Sequence, residues 1–136
     1  MATVQSKLAS LSALIGLAVG SLSCSGGTTD SSQVLSPNVR IVLGAATMGA
    51  LAFSPDTLTI SLADGGQVLW RNADFTVSTY GNVNGTIHQV TANGATFDSG
   101  PLDPKGTFTF TFTSAGIYGY HCSIHPSMIG AIVVTP

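Results

Sequence analysis

The alternating pattern of Thr107–Thr113 constrains the fold of this chain more than any other feature of its sequence. Three Phe residues alternate strictly with four Thr residues in this segment. Successive side chains of a β-strand point to opposite faces, so one face here is aromatic and the other carries hydroxyl groups. A strand of this kind buries its aromatic face, and we therefore expect a second sheet to pack against it.

Other segments have the same short-strand character. The apolar residues of Leu58–Leu62 alternate with hydroxyl side chains, and the following Asp64-Gly65-Gly66 is a strong turn signal. Strands about 8–12 residues apart with turns between them indicate an all-β antiparallel sandwich or barrel. Ala73–Thr86 is predicted as a long loop with room for a short helix or an edge strand. The remaining predicted strands are Val39–Leu43, Gln67–Asn72, Ile87–Thr91, Ile117–Cys122 and Ile129–Val134.

The start of the chain has a different composition. Lys7 precedes the apolar stretch Leu8–Val19, which is shorter than the roughly 20 apolar residues of a membrane span. Small residues follow this stretch, so the regions come in the order of an export signal, which we predict for residues 1–23. A flexible tether rich in Gly, Ser and Thr is predicted for 24–38, and one folded domain for 39–136.

Cys24 directly follows the predicted signal. In a signal of the lipoprotein type it carries lipid and anchors the chain to a membrane, whereas cleavage after Ser23 and an uncleaved N-terminal anchor are the alternatives. We expect an exported protein, located in the periplasm or at the cell surface. A disulfide between Cys24 and Cys122 is the plainest interpretation of two cysteines in such a chain. A cysteine beside a flexible run is, however, a poor place to cross-link a core.

The charge of the chain excludes one class of function. Only 7% of the residues are charged, Glu is absent, and the formal net charge is −2. Nucleic-acid binding needs a basic patch, and the part after the predicted signal has only three scattered cations, Arg40, Arg71 and Lys105. We therefore exclude nucleic acid as a partner. We also expect the protein to be a monomer.

Three side chains that can bind metal recur at intervals of three near the C-terminus, namely Cys122, His125 and Met128. A thiolate, an imidazole and a thioether form a soft donor set that suits copper better than magnesium or calcium. One more imidazole completes a His₂Cys site with a weak axial Met, which is used for electron transfer by copper. His121 adjoins Cys122 in a strand and points to the opposite face, which leaves His88 as the fourth ligand.

Each of these four residues has an ordinary explanation when it is taken alone. His88 could be a half-buried strand residue, Cys122 a small buried hydrophobe, His125 an exposed loop residue and Met128 part of the core. Their joint occurrence at this spacing in a strand-rich chain favours the metal site. Met48 has no such support, and we expect it to pack in the core or to lie in a loop.

Six segments of the chain are similar, in the same order, to those of a known family. They are Phe53-Ser-Pro-Asp-Thr-Leu-Thr-Ile, Gln67-Val-Leu-Trp-Arg-Asn72, Ile87-His-Gln-Val90, Phe97-Asp-Ser-Gly100, Gly106-Thr-Phe-Thr-Phe-Thr-Phe112 and the terminal Cys-x₂-His-x₂-Met. On these segments the chain from Phe53 onward resembles the cupredoxins of the plastocyanin, amicyanin and pseudoazurin group.

The resemblance implies a cupredoxin-like Greek-key β-sandwich of about seven to eight strands. It implies one type 1 copper that alternates between Cu(I) and Cu(II), bound in a trigonal plane by His88, Cys122 and His125, with Met128 as the axial ligand. It also implies that the protein carries single electrons between redox partners, which dock near His125. A copper carrier that delivers the metal to another exported protein is the alternative. An enzyme would need a further copper site, for which only His121 remains.

Two departures from the family pattern bear on the site. Gln89 stands where the family usually has an Asn that braces the loop carrying Cys122, so we expect a looser or differently tuned site. The stretch Asn72–His88 is longer than in the small family members, and we expect it to shape a surface for a partner.

Overall fold

The computed structural model describes residues 38–136. The predicted export signal, Cys24 with its possible lipid and almost all of the predicted tether lie outside these residues. Within them the chain forms eleven strands and two short 3-10 helices, Ala45–Thr47 and Gly49–Ala52. The strands are β1 (Val39–Ile41), β2 (Phe53–Ser54), β3 (Thr57–Ser61), β4 (Gln67–Asn72), β5 (Phe75–Val77), β6 (Val83–Gly85), β7 (His88–Ala92), β8 (Asp98–Leu102), β9 (Thr107–Thr111), β10 (Gly116–His121) and β11 (Ile129–Thr135).

Two larger sheets and one two-stranded ribbon make up the domain. The strand order is β2-β1-β4-β9 in the first sheet and β3-β11-β10-β7-β8 in the second, while β5 pairs only with β6. Two pairings, β1 with β4 and β3 with β11, are parallel. The all-β sandwich is confirmed, and most neighbouring strands are antiparallel as expected, with these two pairs as the exceptions. Sequence periodicity locates strands and carries no information about the direction of their neighbours.

The aromatic face of β9 packs as its alternation predicts. The ring of Phe108 lies 5.6 Å from that of Trp70 on the neighbouring β4, and Phe110 lies 5.1 Å from Phe97. The Thr side chains of the strand are exposed. Trp70 also meets the edge of Tyr120, which belongs to the second sheet, at 5.7 Å. This cluster joins the two sheets through the contact of Trp70 with Tyr120. Each aromatic side chain of this kind contributes roughly 1.5–3 kcal/mol to stability when it is fully buried.

The number of strands differs from the predicted seven to eight because short edge strands have weak sequence patterns. Strand β2 has two residues, and β8 contains Gly100 and Pro101, which are depleted in strands. In Ala73–Thr86 the structure has a hairpin, β5–β6, and not a long loop. Its sequence lacks apolar alternation, and five of its six strand residues, all except Phe75, are exposed.

Candidate metal centre

A short loop between β10 and β11 carries three of the predicted ligands. Cys122 follows the last residue of β10 and Met128 precedes the first residue of β11. The Cys122 N–H donates to the Met128 carbonyl at 3.0 Å, and the Met128 N–H donates to the His125 carbonyl at 2.9 Å. These two bonds close the loop on itself. Cys122 and Met128 are fully buried, whereas His125 is only half-buried.

The fourth predicted ligand comes from a neighbouring strand of the same sheet. His88 is the first residue of β7, which pairs with β10, and its side chain is fully buried. Its Nδ1 lies 3.8 Å from the Cys122 sulfur, and Nδ1 of His125 lies 3.7 Å from the same atom. The three ligand atoms all lie within 4.8 Å of one another. The fold therefore brings His88, Cys122 and His125 to one point, with the buried Met128 in the same loop.

A residue that the sequence did not single out contacts His88 from the other side. The Asp74 carboxylate lies 2.9 Å from Nε2 of His88, and its second oxygen accepts the Gly44 N–H at 2.7 Å. Asp74 lies just before the β5–β6 hairpin and His88 just after it. No sequence signal indicated this pair, because Asp74 stands in the segment whose structure the sequence left open.

The protonation of this pair follows from its surroundings. Burial lowers the pKa of His88, and the hydrogen bond and charge of Asp74 offset only part of that effect. Burial opposes ionisation of Asp74, but hydrogen bonds from His88 and from the Gly44 N–H outweigh it and lower the pKa of this carboxyl. At neutral pH the carboxylate is ionised and can only accept, so Nε2 of the neutral imidazole carries the proton. The lone pair of His88 is then on Nδ1, the atom beside the sulfur.

A side-chain hydrogen bond joins β7 to the Cys122 loop, but it comes from Thr91 and not from Gln89, the position that the family pattern suggests. The Gln89 side chain donates to Asp98 at 2.7 Å, while its backbone N–H donates to the Cys122 sulfur at 3.3 Å. Two positions along β7, the Thr91 hydroxyl lies 2.6 Å from the hydroxyl of Ser123. A contact from Thr91 thus joins the strand to the residue after Cys122.

The third histidine of the chain is outside the cluster. Nδ1 of His121 lies 2.7 Å from the side-chain oxygen of Asn93, and its ring is not among the grouped ligand atoms. Its position agrees with the prediction that it points away from Cys122. Two apolar residues that adjoin the predicted ligands in sequence are exposed, Ile124 (45%) and Ile129 (52%).

The arrangement fits a soft metal ion. Two imidazole Nδ1 atoms and one cysteine sulfur converge in a buried space, and a buried thioether side chain belongs to the same loop. Imidazole and thiolate ligands suit copper, zinc and iron, and a His₂Cys set with a thioether nearby is typical of copper. The Gln89 backbone N–H is directed at the sulfur and would hydrogen-bond to a metal-bound thiolate.

Comparisons with known proteins agree with this donor set. The family described as "Copper binding proteins, plastocyanin/azurin family" matches residues 40–135. The chain is 34% identical over 106 residues to the chloroplastic plastocyanin of Tetradesmus obliquus, covering 76% of this chain and 72% of that protein. It is 28% identical over 91 residues to amicyanin of Paracoccus denitrificans, covering 67% of this chain and 66% of amicyanin.

Solved structures give the same result. A purple cupredoxin from Nitrosopumilus maritimus is 28% identical and superposes with a TM-score of 0.58, covering 74% of this chain and all of that one. A copper-containing nitrite reductase from Thermus scotoductus is also 28% identical, with a TM-score of 0.51. That match covers 62% of this chain and only 20% of the reductase.

Proposed function

Because this chain belongs to the plastocyanin/azurin family of copper-binding proteins, we propose that it is an exported single-electron carrier whose copper is held by His88, Cys122, His125 and Met128. Its membership makes it a copper-binding electron-transfer protein with one type 1 copper as cofactor. The observation that carries the proposed ligand set is the convergence of two Nδ1 atoms and the Cys122 sulfur within 4.8 Å.

The proposed ligands have different roles. His88 and His125 would hold the copper through their Nδ1 atoms and Cys122 through its sulfur, and Met128, which is buried in the same loop, would supply a weaker thioether ligand. Bound copper supplies a one-electron couple, Cu(I)/Cu(II), whose potential depends on the axial ligand and on the surroundings of the sulfur.

The chain's own contribution is a site that changes little when an electron arrives or leaves. The two backbone hydrogen bonds inside the loop hold Cys122, His125 and Met128 in one arrangement. The core beneath the loop is rigid, because Tyr120 is fully buried against Trp70 and Phe53. Fixed ligands lower the reorganisation that opposes electron transfer.

The surface near His125 is the proposed docking place for redox partners. His88 and Cys122 are fully buried, so the half-buried His125 is the ligand that reaches furthest toward solvent. Ile124, which is exposed, adjoins His125 in the loop and adds apolar surface there. A partner that covers this surface would approach the ion through the His125 ring.

Burial of the ligands separates the electron carrier from the alternative functions. A protein that delivers copper has to release it, and the fully buried His88, Cys122 and Met128 favour retention. We also propose that the chain is not an enzyme. The nitrite reductase match involves one fifth of that protein, and residues 38–136 contain one group of metal-binding side chains of this kind.

Export is proposed from the order of charged, apolar and small residues at the start of the chain. No helix among residues 38–136 is long and apolar enough to span a membrane. The mass of the protein purified from its own host distinguishes the three N-terminal alternatives. A lipid on Cys24, a chain that begins at Cys24 without lipid, and an uncleaved chain each give a different mass.

The test of the copper site is the visible spectrum of the full chain before and after one equivalent of Cu(II). We expect an intense thiolate–copper band that bleaches reversibly on reduction and is absent in Cys122→Ser. The matched control is Cys24→Ser, which removes the other cysteine and should keep the band. If the wild-type chain develops no band, or if Cys122→Ser keeps it, the proposed ligand set is wrong.

A further inference from the structure

Asp74 is a buried carboxylate for which the proposed electron transfer has no assigned role. We propose that it is a positioning residue for the copper centre, which orients the His88 ring and favours the oxidised over the reduced form by its negative charge. This inference rests on the proposed function, since it takes His88 as a ligand.

The orientation follows from the contact between the two side chains. Nε2 of His88 and the carboxylate oxygen of Asp74 are 2.9 Å apart, and the two side chains are 0% and 5% exposed. The carboxylate accepts a hydrogen bond from the Nε2–H group. The Nδ1 lone pair is then directed at the space beside the Cys122 sulfur. A carboxylate behind a ligating histidine fixes its tautomer and its ring and raises its basicity.

Hydrogen bonds to both its carboxylate and its backbone hold Asp74 in place. Its second carboxylate oxygen accepts the Gly44 N–H at 2.7 Å, and its own N–H donates to the Asn72 side chain at 3.0 Å. The fully buried Asn72 amide donates to the carbonyls of Thr86 and Leu102 at 2.8 and 2.9 Å. Gly44 and His88 thus bind the carboxylate directly, and the Asn72 amide fixes the backbone of Asp74 and ties it to two further stretches of the chain.

Within residues 38–136, no lysine or arginine forms an ion pair with Asp74. The partner of its carboxylate within 4 Å is His88, which is neutral when it binds a metal. A buried charge is weakly screened, so it acts on the centre through the imidazole. A negative charge favours the form of the centre with the higher positive charge. The carboxylate therefore lowers the reduction potential.

The test compares Asp74→Asn with Asp64→Asn, which removes the same charge from an exposed turn. The Asn side chain keeps the size of Asp but has one oxygen, so it can accept from His88 or from Gly44 and not from both. We expect Cu(II) affinity to fall by about 10–100-fold in Asp74→Asn. If Cu(I) affinity is tenfold less affected, the potential rises by about 59 mV for a one-electron couple. Asp64→Asn should leave both quantities at the wild-type values.

The outcomes separate this inference from the proposed function. A wild-type chain with no copper band would defeat the proposed function. A wild-type band together with an unchanged potential in Asp74→Asn would overturn only the role of Asp74. Should Asp74→Asn fail to fold, the ¹⁵N spectrum of the reduced wild-type protein decides. We expect a His88 Nε2–H resonance protected from exchange with water, and a deprotonated Nε2 would contradict the inference.

Discussion

The loop Cys122–Met128 and the segment Asn72–His88 serve the same centre in opposite ways. The loop holds three proposed ligands at regular spacing, and its own backbone hydrogen bonds fold it. The segment holds one proposed ligand and its carboxylate partner, separated along the chain by a whole hairpin. The first arrangement is local and can be recognised from spacing. The second depends on the β5–β6 hairpin, whose strand pairing brings His88 back beside Asp74.

The base of the hairpin is where this return is fixed. Phe75 pairs with Gly85, and the Thr86 N–H donates to the Asp74 carbonyl at 3.1 Å. The tip projects away, since Tyr80 is 93% exposed. The base of the hairpin, and not its tip, therefore bears on the metal centre.

The strongest test of this contrast removes one histidine from each region. We expect His88→Gly and His125→Gly both to lose the thiolate–copper band, and added imidazole to restore it only in His125→Gly. The half-buried His125 leaves a gap that solvent can reach, whereas the space left by His88 is closed. Titration of each copper-loaded variant with imidazole, followed by absorbance, measures the difference.

The same two variants should also differ in stability without metal. His88→Gly removes one hydrogen-bond donor from the buried Asp74 carboxylate, which costs about 1.5–3 kcal/mol. His125→Gly leaves no such charge, and we expect a much smaller loss. Urea denaturation of the copper-free proteins gives both free energies of unfolding. Equal losses of stability in the two variants, or equal recovery of the copper band with imidazole, would contradict the expected difference between the two histidines.

A smaller effect is expected when only the hairpin base is disturbed. A Cβ at Gly85 would lie 2.7 Å from Cβ of Phe75 and 2.9 Å from the Pro104 ring, and closer still to the Asp74 carbonyl oxygen. We expect Gly85→Ala to lower the free energy of unfolding by about 1–3 kcal/mol and to shift the reduction potential, because Asp74 has to move. Gly94→Ala is the control, since its Cβ would meet nothing closer than 3.9 Å.

Voltammetry and urea denaturation of the two glycine variants distinguish packing from positioning. A less stable Gly85→Ala protein with the wild-type potential would show that the hairpin base supports the fold without affecting the centre. A shift of the same size in Gly94→Ala would show that the potential responds to any change in a surface turn.

The sequence predicted those parts of the molecule in which neighbours along the chain share one environment. The alternation of β9 correctly predicted its buried and exposed faces, and three proposed ligands were recognisable from the spacing in one loop. His88 was predicted because few histidines were available. These are local or compositional signals, and the fold preserves them.

The parts that the sequence did not predict depend on contacts between distant segments. Asp74 is one of six acidic residues, and nothing in its neighbours distinguishes it from exposed ones such as Asp64. Its role arises from the register of the hairpin and from the Gly44 N–H, which is 30 positions away. The parallel pairings are of the same kind, because strand direction is decided by chain topology.

The Gln89 position is intermediate between these two cases. Gln89 was expected to brace the Cys122 loop less well than the usual Asn, and in the structure its side chain donates to Asp98. The replacement contact, Thr91 with Ser123, was not predicted. The two residues lie 32 positions apart, and each is an ordinary strand or loop residue in sequence.

The smallest expected effect concerns this contact, which joins β7 to the loop. Thr91→Val removes a hydroxyl pair at 2.6 Å and should cost about 0.5–1.5 kcal/mol of stability, with a small shift of the thiolate–copper band. Gln89→Ala should leave the band in place, because it keeps the backbone N–H that meets the sulfur. A double-mutant cycle of Thr91→Val with Ser123→Ala, measured by urea denaturation, isolates the pair. A coupling energy near zero, or a larger band shift in Gln89→Ala, would mean that the loop is positioned by its own hydrogen bonds alone.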